Sequence, residues 1–186
     1  MTGYAGGDTL PIQEFAKHER ADVVGAMESD RLPRVFNRRG FESQLAWALS
    51  YIKRYGNSAA LICLDLNGLR RMNEREGAVA GDVVLQAVGA SLTRWVRASD
   101  SIGCIGEDEF AVLLWNITEP HVEAKAQRLE QQVRDLSILY GTAQLSITAS
   151  AGTTILGPLD TPAEVIERAD LALAARKAQR PAYQAQ

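Results

Sequence analysis

From Arg38 to Tyr55 the apolar positions Phe41, Leu45, Ala48, Leu49 and Ile52 fall on one helical face, which predicts an amphipathic helix ended by Gly56-Asn57. Ala59 to Leu66 is a continuous apolar run closed by Asp65 and Asn67, the pattern of a fully buried strand. A short polar helix is expected around Leu69 to Arg75, with a break at Gly77. A second long helix follows from Asp82 to Val96, burying Val84, Leu85, Val88, Leu92 and Trp95. Ser101 to Ile105 and Glu109 to Trp115 read as strands separated by Gly106-Glu107-Asp108, a hairpin signal. Thr118 to Leu136 is helical with Thr118 as N-cap, and Leu145 to Leu156 is a strand region. Thr161-Pro162-Ala163-Glu164 opens the last helix, with proline at its first position.

Upstream, the first ten residues form a loose tail, and Ile12 to Met27 carries loose helical spacing that fits a lead-in helix or the stub of a longer one. Asp30 to Arg39 reads as a connector, because Pro33 blocks helix there. Strands alternating with helices predict an α/β (α+β) domain, a mixed central sheet with helices packed around it. The strand order does not follow from the pattern.

Composition narrows the class. The 186 residues are 46% hydrophobic and 23% charged, ordinary for one soluble globular domain with short extensions. A net charge of −3 gives no whole-protein attraction for nucleic acid or an anionic membrane. A polyanionic ligand then needs a local arrangement of metal, amides and chosen basic side chains. Cys63 and Cys104 lie in apolar runs without a CxxC spacing, as reduced cytosolic thiols do. No run approaches the roughly 20 apolar residues needed to span a bilayer, and the N-terminus lacks an export signal. A cytoplasmic location is expected.

The candidate chemistry sits where strands end. Asp65 closes a buried strand, and Asp108-Glu109 lies at the turn of the hairpin. Such carboxylates can converge on a hard divalent cation, and Mg²⁺ takes one or two of them with phosphate oxygens and water. Each acid alone reads equally as a solvated strand-end residue.

The segment Ile105-Gly106-Glu107-Asp108-Glu109-Phe110 resembles the signature of the GGDEF family, as a GEDEF variant. Asp30 to Phe41 resembles the family's opening DxLTGLxNRRxF, and Asp65 to Asp82 its DxDxFKxxNDxxGHxxGD. Ser150-Ala151-Gly152 resembles the SIG strand, and Ala169-Asp170 through Lys177 the closing ADxALYxAK. The ordered motifs divide the chain into residues 1–29 as tail and lead-in helix, 30–181 as the GGDEF domain with its nucleotidyl-cyclase or palm-like fold, and 182–186 as a tail.

The resemblance implies a diguanylate cyclase, which condenses two GTP into cyclic di-GMP and pyrophosphate between two facing domains. It implies Mg²⁺ or Mn²⁺ at Asp65 and Asp108, with Glu109 as a further ligand or proton acceptor. Asn73 and Asp82 match the guanine-reading pair, Lys177 and Arg70 the phosphate-binding positions, and Gly106 a further substrate-binding position. Arg97 and Asp100, on an expected solvent-facing turn, match the RxxD product-inhibition site, with Arg128 as its additional arginine. The implied partners are GTP, cyclic di-GMP and a second copy of the chain, with no nucleic acid and no membrane. The alternative is a catalytically silent domain of the same fold, acting as a receptor or scaffold. Departures from the pattern are Glu107 for the second signature glycine, where a positive φ is expected, Asn67 for the second acid of DxD, and Leu69 and Ala78 for an aromatic and a histidine. Pro33 and Arg34 replace Thr and Gly, and Pro181 stands for an arginine with Arg180 adjacent.

Overall fold

The structure, a computed structural model, describes residues 28–29 and 32–179. The expected lead-in helix, Asp30, Arg180 and Pro181 lie outside the described residues. The elements in chain order are β1 (Glu28–Ser29), β2 (Leu32–Asn37), α1 (Arg38–Tyr55), β3 (Ala59–Asn67), α2 (Leu69–Glu76), α3 (Ala78–Trp95) and β4 (Ser101–Cys104). They continue as β5 (Glu109–Trp115), α4 (Glu119–Arg134), β6 (Ile138–Tyr140), β7 (Ala143–Leu145), β8 (Thr148–Ile155) and α5 (Pro162–Gln179). One mixed sheet has the order β1-β2-β4-β5-β3-β8, and β6 and β7 pair as a separate hairpin.

The central strands are buried on both faces, which explains their unbroken apolar runs. On one face Ile62, Leu64, Phe110 and Val112 meet Val84, Val88 and Leu92 of α3 and Val122, Leu129 and Val133 of α4. On the other, Leu61, Cys63, Ala111 and Leu113 meet Phe41, Leu45 and Ile52 of α1 and Val165 and Ala169 of α5. Each fully buried Leu or Phe contributes about 1.5–3 kcal/mol. The helices therefore cover both faces of a mixed sheet, as the pattern predicts.

Two close approaches fix the α1/α5 layer. A Cβ at Gly103 of β4 would stand 2.6 Å from the Cβ of Phe41, and one at Gly152 of β8 would stand 2.7 Å from the Cβ of Leu173 and collide with the backbone of α5. Helix α5 opens as expected: Thr161 N–H and Oγ1 both lie 2.8 Å from Glu164 Oε2 in a capping box. Near its C-terminus, Arg176 pairs with Glu123 and lies 3.6 Å from Glu130, whose Oε1 accepts from Ala151 N–H at 2.8 Å. These contacts cover the outer edge of β8 and set the position of the next residue, Lys177.

Several local expectations are corrected. The connector is strand β2, in which Leu32 pairs with Ser29 and Phe36 with Glu28 across an irregular register. Pro33 falls inside that irregularity, where it removes no ladder bond. Helix α3 starts at Ala78, before the expected Asp82, because Ala80 packs fully buried against the core despite the glycine that follows. Trp95, expected inside, is 45% exposed at the end of α3. Thr118 precedes α4 without a side-chain cap bond, its Oγ1 lying 2.6 Å from His121 Nδ1. The hairpin β6–β7 falls between the expected helix end and strand region, with Ile138 opposite Leu145.

Arg34 occupies the left-handed region at φ 65, where the family pattern has glycine. A side chain there is strained by roughly 1 kcal/mol. Arg34→Gly should raise the unfolding free energy by about 0.5–1 kcal/mol, read from urea titrations. A loss of stability would show that the arginine side chain makes a compensating contact.

Candidate active site

The register of β3 on β5 places Asp65 directly opposite Glu109. By strand alternation both side chains share the face of Cys63 and Ala111, under α5. The turn between β4 and β5 is held by Ile105 N–H to Glu109 O at 2.9 Å, and Leu66 N–H donates to Asp108 O at 2.9 Å. Gly106 gives room for Glu109, since a Cβ there would lie 2.6 Å from Glu109 Oε2. Arg38, at the start of α1, donates to Ile105 O at 3.2 Å and to Glu42 at 3.0 Å, and so grips the strand leading into the turn.

Negative charge accumulates here. Burial pushes Glu109 above the usual carboxylate range, the charges of Asp170, Asp65 and Asp108 push it further, and Arg38 opposes them. Asp170, on α5, is also raised by burial, against a hydrogen bond from the Cys63 thiol and the charge of Arg38. Burial, with Asp170 and Glu109, pushes the Cys63 thiol strongly up, so it is an inert donor. Lys177 answers part of the excess with its Nζ 2.6 Å from Asp65 Oδ1.

Among the described residues no group of three or more Asp, Glu, His or Cys side chains is arranged to hold a metal ion as they stand. The donors nevertheless fit a hard divalent cation: they are carboxylate oxygens, they repel one another, and an ammonium already rests on Asp65. An ion held there by Asp65, Asp108 and Glu109 would complete its shell with ligand oxygens and water. Asn67, in place of the second acid, is turned to β8, donating to Thr148 at 3.1 Å and accepting from Ser150 at 3.2 Å. Glu107 is exposed and lies outside the positive-φ residues, so the strain expected from the missing glycine is absent.

Asn73 and Asp82 come from the adjoining helices α2 and α3. The Asn73 side chain presses on Gly81, beside Asp82, and its Oδ1 is buried with no hydrogen-bond partner. Arg70 is 91% exposed on α2 and pairs with Glu74 at 3.3 Å. Arg38, Gly81 and Asp170 fall in the recognised motifs but were not assigned site roles from the sequence. The seven residues from Asp170 to Lys177 are about two helical turns, a spacing that puts both on one face of α5.

A second cluster lies at the other end of the β4–β5 hairpin, about 20 Å away by strand length. Here the expected solvent-facing turn is corrected for Asp100, which is 8% exposed. Its carboxylate accepts from Arg97 N–H at 2.9 Å and Trp115 N–H at 3.2 Å, while burial still holds its proton affinity above the usual range. Arg97 and Arg128 are exposed. Lys125, one turn before Arg128 on α4, donates to the Trp95 carbonyl. Burial lowers the Lys125 pKa, and Arg97 and Arg128 lower it further against Asp100. The structure thus brings Arg97 and Lys125 beside one buried carboxylate, with Arg128 near Lys125.

The carboxylates thus gather at the hairpin end of a mixed sheet whose two faces are covered by helices, an α/β domain. The chain matches the family described as "Diguanylate cyclase, GGDEF domain" over residues 27–182, and belongs to it. It is 28% identical over 174 residues to the probable diguanylate cyclase DgcE of Escherichia coli strain K12, covering 92% of this chain and 16% of that protein. Across eight of the curated relatives it matches, the chain spans 16% to 43% of their length. The GGDEF domain of DgcB from Caulobacter crescentus, solved with c-di-GMP, superposes with a TM-score of 0.77 at 24% identity, over 82% of this chain and 91% of that one. Diguanylate cyclase SiaD of Pseudomonas aeruginosa, solved with its activator SiaC, gives 0.77 at 28% identity over 89% and 65%. No helix among the described residues is long and apolar enough to cross a membrane.

Glu109 supplies a pH test with a defined sign. Its folded-state pKa is raised, so its stabilising contribution is complete below the unfolded value and is lost as pH rises through the folded one. Without divalent metal, Glu109→Gln should therefore raise the melting temperature at about pH 8 and leave it unchanged near about pH 4. Equal effects at both pH values would mean that Glu109 ionises without cost.

Proposed function

We propose that this chain is a diguanylate cyclase: each of two facing copies holds one GTP, and the pair condenses them to cyclic di-GMP with release of pyrophosphate. The observation that carries the reading is the pile-up of Asp65, Asp108 and Glu109 at the hairpin end, with Lys177 docked on Asp65. Asp65, Asp108 and Glu109 would hold Mg²⁺ or Mn²⁺, which would neutralise triphosphate charge and favour ionisation of the attacking 3′-hydroxyl. That oxygen forms the new bond to the α-phosphorus of the other GTP, the bond to the β-phosphate breaks, and the second round closes the ring. Glu109, directly opposite Asp65, is the residue placed to accept the hydroxyl proton where it does not itself ligate the metal.

Lys177 moves from Asp65 to the terminal phosphates when GTP arrives. Arg70 follows, because its exposed pair with Glu74 is worth only about 0.3–0.5 kcal/mol. Gly106 lets the backbone approach the nucleotide, and Asn73 with Asp82 reads guanine. Incubation with GTP and Mg²⁺ followed by nucleotide chromatography tests the reading. Cyclic di-GMP should appear, and Asp65→Ala should abolish it. GTP recovered unchanged from the unmutated chain, alone and when dimerised, refutes the cyclase.

A second reading, a receptor for cyclic di-GMP without turnover, is favoured by Arg97 and Lys125 beside Asp100, with Arg128 near Lys125. Arginine pairs bidentately with phosphate and with the guanine edge. In this arrangement Asp100 shapes the turn that presents Arg97, and a ligand bridging Arg97 and Arg128 would also join two copies. Arg97→Ala should weaken cyclic di-GMP binding by about tenfold, or roughly 1.4 kcal/mol, and flatten its salt dependence. Equilibrium dialysis with labelled ligand measures both. An unchanged affinity would remove Arg97 from the site.

A further inference from the structure

We infer that Gly81 is a specificity-determining position of the guanine pocket, left without a side chain so that the Asn73 carboxamide can lie against α3. The inference rests on the guanine reading above. Gly81 is the fourth residue of α3 and is buried. Glycine is disfavoured in a helix interior relative to alanine, so its presence there calls for a reason. Backbone freedom is not that reason, since Gly81 is outside the positive-φ glycines. Space is. A Cβ at Gly81 would lie 2.8 Å from Asn73 Cγ and 3.0 Å from Nδ2, and would collide with Oδ1.

All three nearest obstacles belong to one flexible side chain. An alanine at this position therefore leaves the core alone and expels the amide. Gly152 makes the contrast, since a Cβ there collides with the backbone of α5. The amide at stake is unusual, because Asn73 Oδ1 is buried without a hydrogen-bond partner. A desolvated acceptor of that kind favours a ligand that brings a donor. With the Asp82 carboxylate one residue beyond Gly81, two acceptors suit the N1–H and N2–H donors of guanine. Adenine presents an acceptor at N1 and is disfavoured by the same pair. Gly81 thus acts through Asn73, as a positioning residue.

The test is a double-mutant cycle on the full chain: wild type, Asn73→Ala, Gly81→Ala and the pair, each titrated with GTP and with ATP in Mg²⁺ and unfolded in urea. Gly81→Ala should remain folded, lose about tenfold in GTP affinity and keep its ATP affinity. It should change nothing further in the Asn73→Ala background, where no amide remains to collide. If Gly81→Ala fails to fold and Asn73→Ala restores folding, the collision stands and the pair carries the comparison. If both Gly81→Ala proteins unfold, the collision lies elsewhere and the inference is overturned. An unchanged GTP-to-ATP ratio in Gly81→Ala, beside a reduced one in Asn73→Ala, overturns it while leaving the guanine reading intact. Equal GTP and ATP binding by wild type and Asn73→Ala removes the guanine reading, and the role of Gly81 with it.

Discussion

The pairing of Asp65 with Glu109 across two buried strands is the constraint on which the site depends. Like charges directly opposite one another on a sheet destabilise it, and here the strands leading to them are apolar on both faces. The register cannot slip to separate them, because a one-residue shift would turn Leu61, Cys63 and Leu113 out of one core and into the other. The repulsion is instead balanced from outside the sheet. Lys177 reaches Asp65 from α5, and Arg38 tempers Glu109 and Asp170 from α1. Both helices are seated by contacts that leave little play, at Gly103 against Phe41 and at Gly152 against Leu173.

The β4–β5 hairpin ties this end of the molecule to the basic cluster. At one end Glu109 and Asp108 sit at the turn, and at the other Asp100 accepts N–H groups from Arg97 and from Trp115, the last residue of β5. A buried carboxylate with both oxygens committed to backbone is a structural fixture, and its loss would strand those donors. The neighbouring cations are different, for Arg97 and Arg128 are exposed and Lys125 reaches only a helix-end carbonyl. Within the RxxD segment the buried Asp100 thus fixes the turn while the charge of Arg97 stands exposed.

Much of this was legible in the sequence. The 3.6-residue period located α1 to the residue, and the apolar runs with the Gly106-to-Asp108 break gave β3 and the β4–β5 hairpin. The strand β2 was not legible, because Pro33 argues against a regular strand and only the irregular pairing with β1 excuses it. Nor was the start of α3, where packing of Ala80 outweighs the low helix propensity of Gly81. At the site, the acids stood out as breaks in apolar runs. Their counterions did not, since nothing in a local pattern says that Arg38 and Lys177 approach acids far from them in the chain. Asp100 read as exposed because a charged residue before a strand usually is, and its backbone donors are visible only in three dimensions.

The departures from the GGDEF pattern fall where the fold can absorb them. Glu107 projects from a turn with no positive φ, so its charge stands in solvent, where screening is strong. Arg34 carries its strain in an irregular strand remote in sequence from the carboxylates. Asn67 is neutral where the pattern has an acid, and its amide is spent on Thr148 and Ser150 of β8. That substitution also removes one charge from a place where Asp65, Asp108, Glu109 and Asp170 already repel one another. What matches the GGDEF pattern is the charged set: Asp65, Asp108 and Glu109 together, and Lys177 on an arm held by Asp65. In the proposed cyclase a nucleotide would take Lys177 from Asp65 only if a second cation replaced it there. On that proposal metal and triphosphate would bind together, each removing the charge that opposes the other.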